Sequence, residues 1–285
     1  MSERAYGSTV AKRRLAAILT RLRVETGYTA NQVCDQLSWG RGKVGRFEAN
    51  QWKRPEMSDV RDLLRLYGVD EERRGQIEAL AVLARMRPWW RDFGDIFGGN
   101  EFPGYEMDAG RIGVYIPLVL PGLVQTQPYM DAQMRIGMQS AAWQGRAAEV
   151  RRRRQQILER EDGTAPQLRV AITEASLTYR WGTAAERHEQ VMHLVDLSQR
   201  PNVEIRVLRF EDGLHPGGLT AVNIFEFPQE QDPDLAFLEG EYALMEVHEP
   251  VELAAYREIF ERICAAALEP PETTDFLKHF AENQR

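Results

Sequence analysis

The stretch "SWGRGKVGRFE", residues 38–48, sets Arg41, Lys43 and Arg46 among Gly40, Gly42 and Gly45. Val44 and Phe47 are one helical step apart, so the stretch reads as a short helix with one apolar side and basic remaining faces. A glycine inside a helix costs about 1 kcal/mol relative to alanine, so Gly42 and Gly45 suggest a helix that must come close to something. Long cationic side chains around a backbone stripped of side chains suit a polyanion.

Other residue types that do chemistry are scattered. Glu106, Asp108, Glu174, Glu239, Glu241 and Glu246 can supply acid–base pairs, and His215 lies in the glycine-rich "DGLHPGG". No nucleophile elbow, phosphate-binding loop or dinucleotide fingerprint accompanies them. His188 and His193 fall on different faces of a helix, and Cys34 and Cys264 have no metal-ligand spacing. The sequence therefore points to no catalytic residue, metal or cofactor. The lone cysteines suit a reducing cytoplasm. No apolar run reaches the roughly 18 residues of a membrane span, and the N-terminus has no apolar core of a signal peptide.

Charge is unevenly placed. Residues 1–54 hold 11 Lys+Arg against 4 Asp+Glu, whereas residues 55–285 hold 25 against 39. A basic head on an acidic body is the electrostatic footprint of a nucleic-acid-binding module joined to something else.

The elements that must position the cations follow from periodicity. Leu15, Ile18, Leu19 and Leu22 form a helical stripe that ends at Gly27. Thr29 and Gln32 form a capping box for a second helix carrying Ala30, Val33, Cys34 and Leu37. The basic helix comes next and ends near Asn50. Val60, Leu63, Leu64 and Tyr67 mark a fourth helix, and Ile77, Leu80, Ala81 and Ala84 a fifth. Two short helices joined by a tight turn inside such a bundle have the geometry of a helix-turn-helix.

Over residues 10–68 the sequence resembles the phage-repressor-like helix-turn-helix domains of the xenobiotic-response-element (XRE) type. Glu48 at the end of the basic helix, Arg23 four residues before Gly27, and "ANQWKRP" after the helix carry the resemblance. It implies a double-stranded DNA operator, with base contacts from Arg41, Gly42, Lys43 and Arg46. It also implies phosphate contacts from Thr29, Gln32, Lys53 and Arg54, and a structural ion pair between Arg23 and Glu48. Cys34 and Ser38 stand where the family usually has Ala and Gly. Two readings of Gly42 and Gly45 stay open: a backbone that lies close to the groove, or a weak reader that depends on dimerisation or ligand.

The expected architecture is a mainly α five-helix N-terminal domain, residues 1–87, and an α+β domain with a small sheet, residues 88–285. The seam at residues 86–108 is rich in large rings. Trp89, Trp90, Phe93, Phe97 and Tyr105, with Phe102, either line a pocket for a small apolar effector or form hinge and core. Thr126 is expected to cap a helix, and the charged "RAAEVRRRRQQILERED" reads as a solvated or dimer-facing helix. "QLRVAI", "VEIRVL", "AVNIFEF", "LAFLE" and "YALMEV" read as strands, with helices at "EASLTYRW", "AERHEQVMHLVDLSQ", "PVELAAYREIFERICAAAL" and "TTDFLKHFAE".

From "VLPGLVQTQPYM" through "ITEASL", "HLVDLSQRPNVEIRVL", "GLHPGG" and "FLEGEY" to "YREIFERICAAAL", the order of motifs resembles the C-terminal domain of unknown function in actinobacterial XRE-type regulators, the WhiJ-like group. That resemblance implies a sensor or interaction domain and a small partner protein encoded nearby. The expected function is a cytoplasmic, homodimeric transcriptional regulator. The alternative is an antitoxin-like protein that neutralises the small partner and regulates its own operon.

Overall fold

The computed structural model describes residues 7–52, 54–137, 139–218, 220–240 and 244–283. They divide into two compact units. One runs to Asp92 and regains Gly99–Asp108; the other holds Phe93–Gly98 and everything from Ala109.

In the first unit the expected helices form as α1 (Ser8–Glu25), α2 (Ala30–Gln36), α3 (Lys43–Glu48), α4 (Met57–Leu66) and α5 (Glu71–Ala84). Their apolar stripes meet in one core, with Leu15, Val33, Cys34, Val60 and Leu64 fully buried. Gly27 takes the left-handed conformation just past α1 (φ +76°), where a side chain would be strained. The acidic start of α5 is capped by Asp70, which accepts from the Arg73 amide at 2.9 Å. After the short α6 (Gly94–Phe97) of the other unit, α7 (Phe102–Asp108) packs against α1. Thr9 donates to Glu101 at 3.1 Å, and the Trp89 indole faces the Met107 sulfur at 3.0 Å. Gly104 permits this packing, because a side chain there would overlap the Thr9 hydroxyl and the Trp90 ring.

The second unit is built on one six-stranded sheet, ordered β3-β2-β1-β4-β5-β6. Its strands are β1 (Arg111–Ile116), β2 (Gln167–Thr173), β3 (Val203–Leu208), β4 (Ala221–Glu226), β5 (Leu235–Glu239) and β6 (Leu244–Val247). The first three pair in parallel and the rest antiparallel. Between them come α8 (Gln127–Ile136), α9 (Ala141–Gln155), α10 (Glu174–Thr178) and α11 (Ala184–Leu197), then α12 (Pro250–Ala266) and α13 (Pro270–Glu282). The crossovers from β1 to β2 and from β2 to β3 run in one direction, so right-handedness puts their helices on one face. That face carries Ile112, Val114, Val170, Ile172, Ile205 and Val207, all buried. On the other face α12 packs Leu253, Phe260, Ile263 and Cys264 over Tyr115, Ala171, Val222 and Ile224.

Several local readings are corrected. Strand β1, at the middle of the sheet, is absent from the expected strands, because Gly113 interrupts its apolar alternation. Helix α10 stops at Thr178, short of Trp181. Thr126 sits at the N-cap of α8, yet its side chain makes no cap hydrogen bond. It turns instead to Gln190 Oε1 at 3.0 Å, tying α8 to α11. The arginine-rich α9 is no plainly solvated helix. Ala147, Ala148 and Val150 are buried, and Arg151 donates inward to Gln125 and Gln133.

Gly104→Ala, read by thermal or chemical denaturation, is expected to destabilise the first unit by about 1–3 kcal/mol through overpacking. Gly45→Ala, at a position with open space around it, serves as the counterexample.

Candidate nucleic-acid interface

Helix α2 starts in a complete capping box. The Thr29 hydroxyl oxygen accepts from the Gln32 amide at 3.2 Å, and Gln32 Oε1 accepts from the Thr29 amide at 2.8 Å. Both side chains are exposed, and the side-chain Nε2 of Gln32 takes no part in the box. The link to α3 turns at Ser38, which is left-handed (φ 54°), and at Gly42 (φ +81°). Gly42 is thus the N-cap of α3 and lies outside its interior, so the expected short basic helix is six residues, Lys43–Glu48. Its glycine is required by backbone conformation, which accounts for Gly42 without any close approach.

Helix α3 is anchored through Val44 and Phe47, both buried. Phe47 is packed by Trp52, ring centroids 4.3 Å apart, and by the edge of Trp39 at 5.9 Å. At the end of the helix, Arg23 grips Glu48 with two hydrogen bonds, Nε to Oε1 at 2.5 Å and Nη2 to Oε2 at 3.0 Å. A third goes from Nη1 to the Tyr28 carbonyl at 2.7 Å. The bond to Glu48 raises the Arg23 pKa above its ordinary value. Burial, with the Glu48 charge adding to it, pushes the nearby Tyr67 phenol well above its ordinary range.

The cations of this surface sort into two groups. Lys43 is turned back on its own domain: its ammonium lies 2.7 Å from Asp59 Oδ1 and 4.0 Å from the Trp39 ring centroid. That engagement runs against its expected place among the base contacts. Arg41, Arg46 and Arg54 are exposed and form no ion pair among the described residues. Gly45 is exposed too, and a methyl group there would meet nothing within 4 Å. The exposed face of α3 therefore presents Arg46 and the bare backbone of Gly45, with Arg41 just before it. Lys53 lies outside the described residues. The Trp39–Lys43 spacing was visible in sequence, but the Asp59 partner comes from another helix and was not.

The aromatic seam does not form one site within either unit. Trp89, Trp90 and Tyr105 belong to the first, Phe93 and Phe97 to the second. Trp90, Tyr105 and Phe93 are buried, and Arg146 lies over the Phe93 ring at 4.7 Å. The candidate acid–base carboxylates are dispersed in structural bonds. Asp108 accepts from the Val10 amide at 3.4 Å, Glu174 from the Phe210 amide at 2.8 Å, and Glu239 from Asn223 at 2.8 Å. Glu246 faces His248, and Glu241 is outside the described residues. Among the described residues no cluster of His, Cys, Asp or Glu is placed to hold a metal ion, and no helix is long and apolar enough to cross a membrane. Both cysteines are buried, and burial pushes the Cys264 thiol up to about 11.

Against known protein families, residues 14–77 match a family described as a helix-turn-helix domain, so the first unit carries the DNA-binding class of fold. Residues 100–279 match a domain of unknown function, DUF5753, and the chain belongs to that family. No curated protein and no solved structure matches the chain.

Replacing Glu48 with Ala removes both acceptors from the half-buried Arg23. Denaturation is expected to show a loss of about 1.5–3 kcal/mol, the range for hydrogen bonds to a charged group. Glu48→Gln, which keeps one acceptor, is expected to lose less.

Proposed function

We propose that the protein is a sequence-specific DNA-binding transcriptional regulator of the XRE type, acting in the cytoplasm as a homodimer without catalytic activity. The observation that carries this reading is the sorting of cations around α3. Lys43 is neutralised by Asp59, while Arg41, Arg46 and Arg54 stay exposed and, among the described residues, unpaired on the same helix-turn-helix. Leaving arginines without partners on a folded surface serves no packing need, and it suits an external polyanion.

In this reading α3 enters the major groove, Arg41 and Arg46 read base edges, and the Gly45 backbone faces the groove floor or wall. Thr29, Gln32, Lys53 and Arg54 contact phosphates, which sets position and salt dependence without reading sequence. Lys43 acts as a brace for the helix, with no base contact of its own. A single helix-turn-helix covers one half-site, so a two-fold dimer on an inverted repeat about 34–36 Å between half-site centres fits the geometry. The second unit serves as the sensor or partner-binding module.

The tests separate reading from positioning. Arg46→Ala is expected to weaken operator binding by about 1–3 kcal/mol and to relax preference at one base pair. Lys53→Ala is expected to weaken all sequences alike and to reduce the salt slope by about one unit. Equal loss of specific and non-specific binding in both variants would overturn these roles.

Gly45→Ala divides the effects further. The added methyl meets none of the protein's own atoms, so thermal stability is expected to rise by up to about 1 kcal/mol. Operator affinity, measured by titration on the same DNA, is expected to fall because the methyl projects toward the groove. Unchanged affinity would remove Gly45 from the interface.

A further inference from the structure

The two cations inside α3 are held in opposite ways. Lys43, the first residue of the helix, is turned toward α4, and its ammonium donates to Asp59 Oδ1 at 2.7 Å. The same ammonium lies 4.0 Å from the Trp39 ring centroid and 5.8 Å from that of Phe47. Only 29% of the Lys43 side chain and 15% of the Asp59 side chain stay exposed, so this is not one of the freely solvated surface pairs that contribute little. Asp59 stands in the first turn of α4, where the helix dipole favours a negative charge. Among the described residues it pairs with no other cation.

Arg46, one turn further along α3, is exposed and reaches back toward the start of the helix. Its Nη1 lies 3.6 Å from where a side chain of Gly42, the N-cap, would begin. A guanidinium therefore lies over the start of α3, while the ammonium of the neighbouring Lys43 is bound to the protein itself. The two groups act differently on DNA. A guanidinium is a rigid fork suited to two-point contacts, whereas an ammonium is a point charge on a flexible stem. Each cation free to meet a phosphate adds about 0.9 to the slope of log affinity against log salt, whatever the sequence. Such attraction strengthens binding to the many competing sites of a genome as well as to an operator.

We propose that Asp59 is a positioning residue that withholds Lys43 from DNA and so limits sequence-independent binding by the helix-turn-helix. Asp59 itself touches no DNA; it acts through Lys43. With Lys43 held, contact from α3 falls to the fork of Arg46 and the bare backbone of Gly45. The proposal deepens the operator reading and rests on it.

The experiment is titration of a labelled random-sequence DNA duplex with the full chain across a potassium chloride series, with the melting temperature of every variant recorded alongside. Asp59→Asn keeps the shape of the side chain and removes its charge. It is expected to free Lys43, to steepen the salt slope by about 0.9, and to raise affinity at least about threefold at roughly 0.1 M salt. Asp59→Ala is measured with it, so that the slope is read even if one neutral variant fails to fold. Asp59→Glu restores the charge and is expected to return the slope to the parent value. Lys43→Met distinguishes a freed lysine from the mere loss of an acid. It is expected to leave the parent slope unchanged and to lower the slope of Asp59→Asn by about 0.9. A purely structural pair would move the melting temperature and leave the slope alone.

The proposal is overturned if Lys43→Met lowers the slope by about 0.9 in the parent, because Lys43 then already meets DNA. It is equally overturned if the neutral variants keep the parent slope, or if they steepen it as much without Lys43 as with it. A parent that binds no DNA at all overturns the operator reading and this proposal together, whereas a binding parent with the wrong pattern of slopes overturns this proposal alone.

Discussion

One guanidinium holds α3 in place. Six residues of α3, with a glycine inside and another at its start, cannot sustain a helix alone, because nucleation is costly and such a segment recovers few backbone bonds. Arg23 offsets this from outside. It takes both oxygens of Glu48 at the far end of α3 and the Tyr28 carbonyl just before α2, so one side chain of α1 fixes the relation of three helices. At the other end, Lys43 does similar work through Asp59 of α4 and the Trp39 ring. Buried Phe47, between Trp39 and Trp52, closes the underside. The exposed face is then free to carry residues that contribute nothing to its own folding.

Much of the first unit was legible because its determinants are local. Stripes such as Leu15–Leu19–Leu22 announce helices by spacing, and Thr29 with Gln32 announces a helix start by residue type. The left-handed Ser38 was harder to see: serine rarely takes that conformation, and only the glycine usual at this position in similar domains hinted at it. Gly42 looked like a helix-interior residue because Arg41 and Lys43 flank it within an amphipathic pattern. The backbone instead uses it to turn into the helix.

The second unit was legible at its edges more than at its centre. Strands β2, β3, β4 and β5 show branched residues and clear boundaries. Strand β1 holds Gly113 where Phe260 approaches, and runs directly into another apolar stretch. Its identity as the strand between the parallel and antiparallel halves depends on pairing, which no local pattern encodes. Arg151 was hidden for a related reason. In sequence it is one of four consecutive arginines, and only the fold distinguishes it from its exposed neighbours by turning it toward Gln125 and Gln133.

The burial of both cysteines has a practical side. A thiol reacts as its thiolate and only where a reagent can reach it, so enclosure in a core limits its chemistry. Cys34 sits in the helical core and Cys264 on the buried side of α12, where its ionisation is pushed up to about 11. The native chain is therefore a silent background for maleimide chemistry near neutral pH. A single cysteine introduced on the exposed surface can carry a fluorophore or spin label without first removing either native residue, and so without cutting a cavity into either core.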